Sequence, residues 1–248
     1  ACLLKRSFRD GLRHGVPIGL GYLSVSFAFG IQALAMGLTP LETLLISMTN
    51  LTSAGQLAGI QLIGAGASLT EMGLTQLTIN LRYALMSLSL SQKMDESMQT
   101  PQRLFFSFAN TDEIFAVASS QEGLLNKQYL YGLMVVPYFG WSLGTILGAV
   151  AGQLLPDFFR TALGIAIYGM FLAVILPPAR GQKPVRVVVI LSALISILLK
   201  FTPVLREIPA GYAIILCAVA ASTVGALLFP IEDLSPSDER DSSGEANA

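Results

Sequence analysis

A chain of 248 residues that is 53% apolar and only 12% charged, with a net charge of −1, is not built like a soluble domain. Soluble chains carry about 25% charged residues, and long uncharged stretches would leave large apolar patches in water. The same figures exclude a disordered chain and a nucleic-acid binder, since no basic stripe is present. Cys2 and Cys217 are too far apart in sequence to suggest a metal-ligand spacing, and the one histidine, His14, lies in a basic leader where it reads as solvated or headgroup-facing.

Crossing about 30 Å of hydrocarbon takes about 20 mostly apolar residues. On that ruler the candidate spans are Pro17–Met36, Leu41–Ile63, Leu69–Leu90, Leu104–Ala118, Tyr129–Ala151, Phe158–Ala179, Val185–Leu199 and Pro209–Phe229. The fold class is therefore all-α, a polytopic membrane helical bundle of seven or eight spans, one or two of them discontinuous. Residues 1–16 form a basic leader, 17–229 a single transmembrane domain, and 230–248 an acidic, disordered tail. Lys5, Arg6, Arg9 and Arg13 precede the first span and the next turn has no Lys or Arg, so the N-terminus is expected in the cytoplasm. Leu104–Ala118 is the doubtful span, tilted or re-entrant. Treating it as a crossing keeps Arg180, Lys183 and Arg186 on the cytoplasmic side.

Several spans carry more polarity than an anchor requires. The second holds Thr49, Asn50, Thr52, Ser53, Gly55, Gln56 and Gly59, a density that either breaks the helix or lets it pack tightly. In the third, Gln76, Asn80, Tyr83 and Ser87 share one stripe and Thr75, Thr78, Arg82 and Ser89 the next, making a polar face. Such a face either glues helices together or lines a pathway. Asp112 and Glu113 follow in the fourth span, about 100° apart on a helix, so only one can face Arg82. They read either as a proton relay or as the acidic start of a broken helix. In the fifth span Gly140, Gly144, Gly148 and Gly152 recur every fourth residue, a docking face for another span or for a partner subunit, with Trp141 beside it as packing. No phosphate loop, metal motif or serine elbow is present, which argues against an enzyme and against a metal or cofactor.

The runs GYLSVSFAFG (Gly21–Gly30), Asn50–Gln56, INLRYALMSLSL (Ile79–Leu90) and NTDEIFA (Asn110–Ala116) resemble the AzlC family. That family is the large subunit of bacterial branched-chain amino acid exporters and works with a small membrane subunit of the AzlD type. The chain departs from it at Ser53-Ala54-Gly55-Gln56, where the family usually reads Gly-Ala-Ser-Gln, and at Tyr83, where many members carry a histidine. The resemblance implies a multi-pass protein of the bacterial inner membrane, exporting small apolar amino acids and lying among membrane lipid. Arg82 would hold the substrate carboxylate, with Asn50, Ser53, Gln56, Asn80 and Tyr83 around it. Asp112 or Glu113 would take the amino group or a coupling proton. The alternatives are a channel or transporter for another small solute, and a non-transporting assembly subunit that uses the glycine ladder.

Overall fold

The computed structural model describes residues 6–96, 98–203 and 205–230; the acidic tail after Pro230 and the first five residues of the leader lie outside them. Among the described residues the regular structure is helical apart from one isolated bridge, Met94 to Leu125. The helices are α1 Phe8–Ala35, α2 Pro40–Thr49, α3 Ser53–Gly64, α4 Leu69–Ser91, α5 Thr100–Phe108, α6 Asp112–Ser119, α7 Lys127–Leu154, α8 Asp157–Gly181, α9 Lys183–Phe201 and α10 Ala210–Leu228. Four of these, α1, α7, α9 and α10, are long and apolar enough to cross a membrane by length and composition.

The first helix starts at Phe8 rather than at Pro17, so half of the expected leader is helix. The cause is local: the Ser7 hydroxyl accepts from the Asp10 N–H at 3.2 Å, and the Asp10 carboxylate accepts from the Ser7 N–H at 2.8 Å, a capping box. His14 is half-buried; its Nδ1 lies 2.9 Å from the hydroxyl of the fully buried Tyr129.

Helices α1 and α7 form the spine. A Cβ built at Gly11 would meet Tyr129, one at Gly140 would meet Gly19, one at Gly148 would meet Phe27, and one at Gly152 would meet Ile31. The numbers on both helices rise together, so the two run parallel. The ladder Gly140, Gly144, Gly148 and Gly152 thus lies against α1 of the same chain, backbone on backbone. With no gain from expelling water in lipid, that close approach supplies dispersion contact instead.

Two helical hairpins enter beside this spine from opposite ends. The α2–α3 hairpin starts where α1 ends. Ser47 meets Thr145 at 2.8 Å, Tyr138 donates to the Met48 carbonyl at 3.2 Å, and the chain breaks at Asn50–Thr52. Helix α3 then returns to the same end, where Gly64 faces Met36. The α5–α6 hairpin does the reverse. Arg103 in α5 donates to the Ser91 carbonyl at 2.7 Å, Asn110 at the tip donates to Ser87 at 3.1 Å, and Ser119 at the end of α6 accepts from Lys93 at 2.6 Å. Both of its ends therefore sit with the start of α7, where Asn126 donates to the Arg6 carbonyl.

Leu41–Ile63, expected as a crossing, thus doubles back instead, as does Leu104–Ala118, for which a tilted crossing and a re-entrant piece were both open. The interruptions explain why. Asn50 and Thr52 are extended, with φ −143 and −133, and Thr111 restarts the second helix as an extended N-cap. Between the hairpins α4 runs antiparallel to α3, with the Gln76 amide on the Gly55 carbonyl at 2.8 Å and Gln76 also nearest Gly59. Its outward face is a stripe of exposed Leu74, Leu77, Leu81, Leu85 and Leu88, the face suited to lipid.

The contacts divide the chain into two units, Ala1–Val174 with Pro209–Ile215, and Ile175–Ile208 with Leu216–Ala248. The first holds α1 to α7 and both hairpins, and within it Glu71 at the start of α4 accepts from the Gly211 N–H at 2.8 Å. In the second, α9 and α10 are almost wholly apolar, and Gly225 lies against Val188.

Candidate functional site

The tips of the two hairpins meet halfway along the spine. Leu51 and Ser53 from the first tip, Thr111 and Glu113 from the second, Tyr22 from α1, Trp141 from α7 and Tyr83 from α4 enclose a cavity. It holds about 200 Å³ of atom-free space, of which about 10 Å³ admits the centre of a water molecule. That is room for about one water, and Glu113 on its lining is exposed. A wider recess of about 430 Å³ lies between α4 and α5, lined by Tyr83, Ser87, Ser91, Arg103 and Ser107 among others. Tyr83 is a wall of both spaces.

The charges resolve into two pairs. Arg82 and Asp112 form an ion pair, and the Arg82 guanidinium lies 4.7 Å from the centre of the Tyr83 ring while donating to its hydroxyl at 3.1 Å. Glu113 takes the other direction and accepts from the Tyr22 hydroxyl. That hydroxyl is also 2.6 Å from the Thr111 hydroxyl, which caps α6 by accepting from the Ile114 N–H. One phenolic proton cannot serve two acceptors. With it on Glu113, the Thr111 hydroxyl supplies the second bond, and the chain Ile114–Thr111–Tyr22–Glu113 is complete. Two acids thus stand beside one cation, and Glu113 is matched by a phenol rather than by a charge.

The expected site residues are therefore only partly assembled. Ser53, Tyr83 and Glu113 line the cavity, and Arg82 with Asp112 sits against its Tyr83 wall. Asn80 and Gln76 act as glue: Asn80 donates to Gln76 at 3.0 Å, and both press on Gly55. Gln56 is turned toward the spine, donating to Ser47 at 3.1 Å. Asn50 closes the first tip by accepting from the Thr52 hydroxyl at 2.7 Å. Arg82 is engaged by Asp112 and Tyr83, so its guanidinium is not free for a carboxylate in this state.

Sequence reasoning missed Tyr22, Leu51 and Trp141. Tyr22 and Trp141 meet edge to face at 5.1 Å, and both are buried. The signal for Trp141 is its indole N–H, which is buried without an acceptor. Groups of His, Cys, Asp and Glu able to hold a metal are absent among the described residues.

Comparison with known proteins adds the family. The profile of the AzlC protein family matches residues 17–155, the stretch from the first span through the end of α7 that contains both hairpins. An uncharacterized membrane protein of Archaeoglobus fulgidus is 33% identical over 177 residues, covering 71% of this chain and 77% of the relative. Inner membrane protein YgaZ of Escherichia coli is 28% identical over 177 residues, covering 68% and 72%. The branched-chain amino acid transport protein AzlC of Bacillus subtilis is 22% identical over 172 residues, covering 65% and 66%. No solved structure matches the chain. On the extent of the profile match and the length of these alignments, the chain belongs to the AzlC family.

Proposed function

We propose that the chain is the large subunit of a secondary exporter for branched-chain or similar small apolar amino acids, acting with a small membrane partner subunit in the bacterial inner membrane. The observation that carries this is the meeting of two broken hairpins, from opposite ends, around Arg82, Asp112 and Glu113. Charge at mid-membrane costs about 3 kcal/mol per residue on the insertion scale and marks function rather than anchoring. Broken helices are a recurrent way to hold charged substrate groups there. The name of the Bacillus subtilis relative supports the substrate class.

In this reading α1, α4 and α7 cross the bilayer, the two hairpins enter and leave by the same side, and α8, α9 and α10 add three crossings. The count becomes six rather than seven or eight. Charge supports it: Arg6, Arg9, Arg13, Lys93, Arg103 and Lys127 all fall at the end where α1 and α7 begin, and the turns 36–39 and 64–68 have no Lys or Arg. The N-terminus is then cytoplasmic, and Lys93 and Arg103 lie on the same side as it.

The Arg82–Asp112 pair holds Tyr83 between the small cavity and the α4–α5 recess, and its opening admits substrate. Glu113 receives the amino group or a coupling proton, while Asn50, Gln56 and Asn80 hold the tips in place around Ser53. A cavity with room for one water favours a gated carrier over an open channel. A scaffold role loses its main surface, because α1 already covers the glycine ladder. The test is efflux of labelled leucine from preloaded cells expressing the chain with its partner subunit. Faster efflux than from control cells supports the reading, and control-level efflux contradicts it.

A further inference from the structure

We propose that the first turn of α3, with the Ser53 hydroxyl and the indole N–H of Trp141, forms a subsite for the carboxylate of the substrate, separate from Arg82. The inference deepens the transport reading and rests on it only for the substrate being an amino acid.

Helix α3 runs for twelve residues and begins at the cavity, yet its N-terminus is left unfinished. The N-cap residue Thr52 makes no side-chain cap; its hydroxyl donates to Asn50 Oδ1 at 2.7 Å, and no acid stands in the first turn. The N–H groups at a helix start carry partial positive charge that a cap or an anion normally meets. A second and independent observation lies on α7. Trp141 is only 2% exposed, lines the same cavity as Ser53, and its Nε1–H has no acceptor. A buried N–H is seldom left so.

Beside the cavity this tip carries donors, the first-turn N–H groups, the Ser53 hydroxyl and the indole N–H of Trp141, while the Asn80 and Gln76 side-chain oxygens lie further along, against Gly55. The other tip is its opposite, with Thr111 capping α6 and two carboxylates in its first turn. A ligand with an anionic and a cationic group on one carbon fits between the two. An α-amino acid is such a ligand, its carboxylate toward α3 and its ammonium toward Glu113.

Trp141 is the chain's one tryptophan, so intrinsic fluorescence of the purified full chain reports on this place directly. The probe is isovalerate, a branched carboxylate without an amino group. The expected result is a saturable change with isovalerate in the wild type, weakened in Ser53→Ala, which keeps the backbone donors, and absent in Ser53→Asp, which sets an acid there. In Trp141→Phe, whose ring still packs on Tyr22, labelled leucine should bind at least about tenfold more weakly while the protein stays monodisperse, as loss of a bond to a charged group implies. No response to isovalerate, an undiminished response in Ser53→Asp, or wild-type leucine affinity in Trp141→Phe overturns the subsite. A saturable isovalerate response together with control-level leucine efflux would instead overturn the transport reading and leave the subsite standing.

Discussion

The two hairpins share a plan and differ in how they are finished. Each is a short helix, a three-residue break containing Asn and Thr, and a second helix whose N-terminus points to the same cavity. In α5–α6 the Thr111 hydroxyl caps the new helix, and Asp112 and Glu113 sit in its first turn. In α2–α3 the Thr52 hydroxyl donates to Asn50, and the helix starts bare. A threonine placed one residue before a helix is not enough to decide its charge. What decides it is whether the hydroxyl oxygen meets a first-turn N–H, as at Thr111, or does not, as at Thr52. The result is one acidic tip and one electropositive tip facing the same small space.

That contrast can be broken in order of expected effect. Arg82→Ala leaves Asp112 without its cation and Tyr83 without its clamp, so leucine efflux should fall to the control level with the amount in the membrane unchanged. Ser53→Asp makes the bare tip resemble the acidic one, and leucine binding should weaken by at least about tenfold, the scale of a bond to a charged group. Glu113→Gln sharpens the division of labour: leucine binding should weaken while the isovalerate response of Trp141 is kept, whereas Ser53→Asp should lose both. Thr111→Val removes the cap of α6 and costs about 1 kcal/mol, visible as a lower Tm. Tyr83→Phe is the mildest, since it loses only the 3.1 Å bond from Arg82 and should change the efflux rate without abolishing it.

Some of this architecture was legible in the residues. The Thr, Asn, Ser and Gly crowded into 49–59 left a broken helix and tight packing both open, and the two adjacent carboxylates left a proton relay and a helix start both open; the break and the helix start are what the structure has. The four-residue spacing of the glycines fixed a close helix contact. The doubling back was not legible, because a length ruler reads 23 residues from Leu41 to Ile63 alike whether they run through or return. The partner of the ladder was hidden because spacing shows a smooth face but not which helix meets it; Gly19, Leu23, Phe27 and Ile31 of α1 do. Trp141 was lost among apolar neighbours, since only a missing acceptor, and no spacing, distinguishes it from a packing residue.

The most direct test of the central claim is leucine efflux from preloaded cells, compared between the wild-type chain and Arg82→Ala at equal membrane abundance. The account predicts accelerated efflux for the wild type and control-level efflux for the variant. Equal efflux from both would contradict it.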